Sequence, residues 1–435
     1  MKKITQIALL CFLSATTSLY GQFSNEINKN FLRNYKAPDF KQKRFDVLLY
    51  GDGRSSAPPF ADPTYRYSNL SSLSYSQYSN TQRYQGFLTT GLSNTITGAN
   101  TAGENVFYLR SQLDMSSQNY FYVRPNFFIG AHAAVFYQYR LNRIDKSFDY
   151  ERNNVFGSTA ISAGFGRLEP VQYARNAMDI QRSLMKGGRI KKFYSVEELT
   201  VLSDELARIN NVRFYDFRLR RIEQFEALDK TMQRLGHITD FDIAYFSYLA
   251  DAYLYAQSFV RYSGFRHEFG LAETVDWLHQ RDQFTGITAS TRAFTSLFYR
   301  GSMHLPASYT VQHELEVLAN ISYDYYPNIP VFPGEIGAFA SSRYTLGFYP
   351  TTRTNFNVGA EAGTYMNSSA GYSAGLFANA TFYISPQFRI SGFLRGSYAD
   401  NYTYNPFSSI WNDYGPSFIS GYAISGNITL NYAIF

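Results

Sequence analysis

The sequence predicts an all-β transmembrane antiparallel barrel of about fourteen strands, with twelve and sixteen as the neighbouring even counts, carrying an inserted four-helix α domain. Three observations predict it. Tyr and Phe each occur 38 times in 435 residues, while charged residues make up 17%. Long stretches alternate apolar and polar residues with period two, the signature of a strand with two different faces. Between Gly166 and Ala256 the character changes: 27 of those 91 residues are charged, against 11 of the 135 from Gly301 to Phe435. The first composition belongs in water, and the second belongs in lipid.

The chain opens MKKITQIALLCFLSATTSLYGQF. Lys2 and Lys3 form a positive start, Ile7 to Tyr20 an apolar run too short to span a bilayer as a helix, and small residues lead to Gly21. This is the pattern of a secretory signal peptide over 1–21, followed by an expected periplasmic segment over 22–44. The single cysteine, Cys11, lies inside the signal and is preceded by Leu10 rather than a small residue, which speaks against lipidation. The processed chain would have no disulfide framework and no thiolate metal site. The net charge of +6 is thinly spread and does not argue for nucleic acid.

Strands are expected at 45–51, 64–79, 82–93, 104–124, 127–143 and 155–166, and again at 257–270, 284–300, 308–325, 336–349, 353–366, 371–384, 387–400 and 417–435. The clearest is 309-YTVQHELEVLANISYDY-325, where Tyr309, Val311, Leu315, Val317, Ile321, Tyr323 and Tyr325 share one face and Glu314, Glu316, Asn320 and Asp324 the other. Its length exceeds the usual soluble strand, and its apolar face is bounded by tyrosine at both ends. Short proline-bearing turns recur at 122-YVRPNFFIG-130, 348-FYPTTRTNFNVG-359 and 383-YISPQFRISG-392. Proline suits such connections because it cannot donate to a ladder. These turns are expected on the periplasmic side, with 144–154 and 401–417 as outer loops.

The charged segment 167–256 reads as a small helical bundle. Ser195 and Glu198 have capping-box spacing, and Leu199, Leu202, Leu206 and Ile209 then recur on one helical face. Val212, Tyr215, Leu219, Ile222, Phe225 and Met232 suggest a second stripe, closed by Gly236. Thr239 and Asp242 suggest another start, and Pro170 suits the first turn of the opening helix. Arg213, Arg218, Arg220 and Arg221 are a candidate partner-binding group, for an anionic lipid, a glycan, a periplasmic protein or peptidoglycan. Pairing of Asp216 with Arg220 and of Glu226 with Lys230 would make them an ordinary solvated face.

Strand parity places Arg110, Asp114, His132, Arg140, Arg292, Glu314, Glu316, Asp324, Arg343, Glu361, Arg389 and Arg395 toward the lumen. The arginines and glutamates at 110, 140, 292, 314, 316, 343, 361, 389 and 395 are the candidate pore lining. None of the six histidines falls in a metal-ligand pattern, and nucleophile-elbow, phosphate-loop and dinucleotide motifs are absent from the sequence. No catalytic residue, cofactor or metal is therefore expected.

The signal, the alternation and the terminal aromatic Phe435 together resemble bacterial outer-membrane β-barrel proteins of porin-like type, over about four-fifths of the processed chain. Phe435 is out of phase with Ile434, Tyr432 and Leu430, unlike the terminal signal of that class. The resemblance implies Gram-negative outer-membrane localisation, insertion by the barrel-assembly machinery, contact with lipids and lipopolysaccharide, and passage of small polar solutes. A non-conducting anchor or assembly or secretion accessory stands as an alternative, and more remotely an outer-membrane hydrolase with a hidden serine–histidine or aspartate–histidine pair.

Overall fold

The computed structural model describes residues 25–56, 64–101, 104–144, 148–211, 217–256, 261–284, 286–325, 334–366, 370–385, 388–400 and 421–432. The signal segment, Cys11 and Phe435 lie outside these residues. A short helix, α1 (Asn25–Asn34), comes first. Six strands follow: β1 (Phe40–Ser56), β2 (Thr64–Thr81), β3 (Tyr84–Thr101), β4 (Glu104–Arg124), β5 (Phe127–Ile144) and β6 (Phe148–Pro170). Four helices then intervene: α2 (Gln172–Lys186), α3 (Val196–Asn211), α4 (Phe217–Leu235) and α5 (Ile243–Ala256). The remaining strands are β7 (Tyr262–Asp282), β8 (Gly286–Pro306), β9 (Val311–Tyr325), β10 (Glu335–Thr351), β11 (Thr354–Met366), β12 (Ala370–Tyr383), β13 (Phe388–Asp400) and β14 (Gly421–Tyr432). All fourteen form one antiparallel meander, each strand hydrogen-bonded to its sequence neighbours.

Alternation explains the two faces. Along β5, Phe127, Ile129 and Val135 are exposed, while Phe128, His132 and Ala134 between them are buried. Register carries this division around the sheet. The outward face shows Leu271, Leu297, Ile321, Leu376 and Leu394 to the surroundings, each more than half exposed. Water would penalise such a surface, whereas lipid accommodates it. Aromatic residues border the apolar band, with Tyr84–Phe121 and Phe165–Phe265 near the short turns and Tyr372–Tyr398–Tyr422 near the other end. This is the architecture of a transmembrane β-barrel.

Several strands, among them β1, β3, β6, β7, β8 and β10, outrun their expected lengths, while β9, β11, β13 and β14, over their described residues, are shorter than expected. β6 begins at Phe148, inside the stretch expected as an outer loop, because Arg143 aligns with Asp149 and Arg152 with Gln280. β7 continues to Asp282 through the charged run 271–282, which sequence reading had left unassigned beyond 270. Paired strands can project into water carrying polar side chains on both faces. At the opposite end β6 runs to Pro170, so Pro170 closes a strand rather than opening a helix, and α2 starts two residues later. There Gly166 (φ +90°) and Gly264 (φ +114°) adopt left-handed backbone conformations that side chains oppose.

The helices bury the stripe Leu199, Leu202, Leu206 and Ile209 almost completely. The Ser195–Glu198 capping box forms, with Ser195 N–H donating to Glu198 at 2.7 Å and Glu198 N–H to Ser195 at 3.2 Å. Gly236 ends α4 with φ +76°. Two expectations are corrected. Asp242 rather than Thr239 caps α5, accepting from Tyr245 N–H at 2.8 Å. Met232 is buried and Phe225 packs on the core as expected, but Ile222 is 51% exposed, and Gln224, Leu228 and Thr231 face inward. Val212, Tyr215 and Asp216 lie outside the described residues, as does the side chain of Leu219.

The ladder runs from β1 to β14, and β1 rises from the turn end while β14 descends to it. Lipid tolerates no open sheet edge, so antiparallel closure of β1 on β14 is expected. A cysteine at Val47, combined in turn with cysteines at Ile424, Gly426, Ile428 and Leu430, should give one efficient disulfide in membranes. Failure of every pair would leave the sheet open.

Candidate functional site

The inner face is polar but layered. Register places all twelve lumen candidates on it: for example, Arg343 sits between Glu316 and Glu361 on adjacent strands, and Arg110 lies opposite Arg140. Many of these charges pair along the wall. Arg292 Nε reaches both Asp324 oxygens, at 2.9 and 2.7 Å. Glu361 bridges Arg343, at 3.0 Å, and Arg395. Glu314 accepts from Gln312 at 2.7 Å, with His304 3.6 Å away. Arg389 reaches the Tyr383 hydroxyl at 3.5 Å and stands over its ring. At mid-height, Phe156, Phe298, Leu318, Phe339 and Ala399 form one buried cluster with Phe136 and Tyr365 packed on it. These residues come from β5, β6, β8, β9, β10, β11 and β13, so one inward-facing cluster spans much of the sheet.

Sequence reading placed His132 in the lumen but gave it no partners. Its Nε2 meets Glu268 on β7, and Ser162 on β6 donates to the same Glu268 oxygen at 2.6 Å. Both His132 and Glu268 side chains are almost wholly buried. Gly130 makes the approach possible: a Cβ there would lie 2.1 Å from Ser162 Oγ. The three residue types match a hydrolytic triad, but the arrangement does not. Ser162 Oγ lies 3.3 Å from His132 Nε2 and gives its proton to the carboxylate, so the histidine does not stand between serine and acid. Spacing of 30 and 136 residues hid the cluster from sequence reading. Its chemistry is that of a buried strap tying β5, β6 and β7.

Removing one member of such a buried pair strands a charge. His132→Ala should lower barrel stability by about 3–5 kcal/mol, read as the urea midpoint in lipid vesicles. Ser162→Ala should leave any background ester hydrolysis unchanged; its loss would make Ser162 a nucleophile.

The helices lie across one mouth of the barrel. Their core includes Phe40 of β1, Tyr309 between β8 and β9, and α1 residues Phe31 and Leu32, with Tyr78 of β2 packed against it. Arginines fasten the rim. Arg33 donates to the Pro306 carbonyl at 3.0 Å, and Arg175 to that of Thr351 at 3.2 Å. Arg353, in the β10–β11 turn, pairs with Asp251 of α5 and stands 4.2 Å over Tyr255. Arg261, fully buried, donates to Gln312 at 2.7 Å and to the Tyr309 carbonyl at 2.6 Å. Burial raises the Asp179 carboxyl to about 6, against the opposing pull of Arg175, Arg182 and Arg261. At the far side of the bundle, the Ser195 N–H holds Glu198 below its usual range, aided by His237.

Of the expected arginine group, Arg220 and Arg221 are placed on α4. Arg220 turns to the Asn210 carbonyl at the end of α3, at 3.0 Å. Arg213 and the Arg218 side chain lie outside the described residues, and Arg221 makes an interaction of its own. Among the described residues, no group of three or more His, Cys, Asp or Glu side chains could hold a metal. No helix there is long and apolar enough to cross a membrane. Arg353→Ala should speed hydrogen exchange across 243–256 by about five- to thirtyfold, consistent with about 1–2 kcal/mol from ion pair and cation–π contact together, while the strands stay protected. Unchanged exchange would mean that α5 does not depend on this clamp.

No family model matches the chain, and none of the curated proteins compared with it does. Solved structures do align with it. The monoaromatic hydrocarbon channel CymD is 9% identical, covering 87% of this chain and 91% of its own, at a TM-score of 0.26. The outer-membrane protein OmpT of Vibrio cholerae is 7% identical, covering 92% and 98%, at 0.31. OccAB1 of Acinetobacter baumannii is 8% identical, covering 94% and 99%, at 0.26. At scores this low the alignments carry no argument, and the transmembrane barrel rests on the chain's own strands and faces.

Proposed function

We propose that this chain is an outer-membrane channel for small polar or weakly charged solutes, whose periplasmic mouth is covered by the helical bundle. The observation that carries the reading is the opposition of faces on one continuous meander: apolar outward, and charged or amide-bearing inward on nearly every strand. Charged and amide groups on the inner wall are what a polar solute would meet in passing. Apart from the bundle, the connections at the helical end are two to four residues long, whereas the other end carries the long ones, 57–63, 326–334 and 401–420, beside four of two or three residues. Outer-membrane barrels have short periplasmic turns and longer outer loops, which supports a periplasmic bundle. The same polarity supports contact with lipopolysaccharide at the outer rim and leaves the bundle free to meet periplasmic protein or peptidoglycan. Nothing in this reading requires a cofactor or a chemical step.

The mid-height aromatic layer would act as a constriction, since apolar linings gate water and ions by dewetting. It is also what favours the second reading, a barrel closed at that level that anchors the helical domain as an assembly or secretion accessory. Planar-bilayer recording separates the two. Wild-type protein is expected to show small ion steps, and Phe298→Ala with Phe339→Ala to enlarge them severalfold. Replacing 171–261 by a short turn should raise the open fraction. Silence from the wild type, the aromatic variant and the truncated protein alike would sink the channel reading.

A further inference from the structure

One inner-face row is unlike the others. Arg110 on β4 lies directly opposite Arg140 on β5, and Arg140 directly opposite Arg152 on β6. Three guanidinium side chains thus stand in register on adjacent strands, where neighbouring Cα atoms are about 5 Å apart. Like charges directly opposite one another oppose sheet pairing. A wall built only for stability would alternate signs, as Glu316, Arg343 and Glu361 do in the row across β9, β10 and β11.

The residues directly beside the row carry no charge. Its flanks are Thr95 on β3 and Gln280 on β7. The next inward-facing row, two residues toward the mid-height layer, is Gln112, Gln138 and Asn154, all amides. Arg110 donates to Gln112 at 2.8 Å, a neutral acceptor. The Nε atoms of Arg140 and Arg152 are buried and have no hydrogen-bond acceptor among the described residues. The nearest inward carboxylates are Asp282, one row toward the loop end beside Tyr150, and Asp114 and Asp276, two rows further in and flanking Phe136 and Phe156, about 13 Å along the strand. The arginine row itself sits four residues from the loop end of both β5 and β6, beside the outward Tyr139.

We infer that Arg110, Arg140 and Arg152 form an anion-recognition site at the outer mouth, which takes small solutes bearing carboxylate or phosphate groups. The planar guanidinium fork binds such oxyanions two-pronged, and the amide row below supplies further donors as the solute descends. The row faces the lumen, so its ligand is a passing solute rather than a lipid headgroup. Deeper carboxylates would then release the anion from the arginines instead of trapping it. The assignment gives a solute class to the channel reading and rests on that reading for its role, though the site itself can be tested without it.

Full-length protein in detergent is titrated with citrate and, separately, inorganic phosphate, following the thermal midpoint. Both anions should raise the wild-type midpoint. Arg140→Gln with Arg152→Gln should weaken each by at least about tenfold. Free of anion, that variant should melt higher than the wild type, because the like-charge row is relieved, and this also shows that it folds. Arg140→Lys with Arg152→Lys keeps the charge and loses the fork, so binding should fall to an intermediate level. In a potassium chloride gradient across a planar bilayer, wild-type reversal potential should favour chloride, and the glutamine variant should lose that preference. Anion binding equal in the wild type and the glutamine variant overturns the site, as does conductance with no anion preference. Binding that depends on the arginines in a protein that never conducts upholds the site and sinks the channel reading alone.

Discussion

Every backbone N–H and C=O inside a bilayer must be satisfied by protein, because hydrocarbon offers no partner. The remainder of this structure follows from that requirement. A helix can meet it alone, but none of the described helices is long and apolar enough to do so. Strands meet it only collectively, and here fourteen are paired in sequence order. Once pairing is obligatory, alternation does the sorting. Each residue faces lipid or lumen, and a slip of one position would exchange the two faces along a whole strand.

Charge is tolerated on the inner face because neighbouring strands supply partners. Arg292 with Asp324, and Glu361 with Arg343 and Arg395, are satisfied along the wall. The His132–Ser162–Glu268 strap extends the same logic into a buried site, where no solvent could compensate a lone charge. The arginine row departs from this rule, and its departure is what gives it meaning. Aromatic side chains divide the charged levels, so the lumen is a stack of chemically distinct layers rather than a uniform water-filled tube.

The helical bundle obeys a different physics. It packs a conventional apolar core and is joined to the barrel through arginines that reach carbonyls and rings of the turns. Carbonyls exposed at strand ends are natural acceptors for guanidinium forks, and Tyr309 and Tyr349 offer ring faces to Arg175, with Arg261 also over Tyr349. The union is therefore polar at its rim and apolar at its centre. Such a seam can hold a cap in place while remaining separable.

Much of this was legible in the residues. The run 309–325 displays its two faces without any structure, and parity alone assigned Glu314, Glu316 and Asp324 to the inner wall. The capping box at Ser195 and the stop at Gly236 were equally plain, since both depend on neighbours a few positions apart. Strand limits were less legible at 148–154 and 271–282, because a strand in water has no apolar face to announce it and is held only by its partner. Ile222 and Thr239 misled for a related reason: helix phase and cap choice depend on what packs against the helix. What the sequence by itself determined was the period-two pattern, the two environments and the even strand count. Only the tertiary structure decided that the helices lie across the mouth, that Ser162 meets Glu268, and that three arginines from separate strands stand in one row. Those contacts join residues whose spacing along the chain carries no signal, and they exist only once register and curvature bring the strands together.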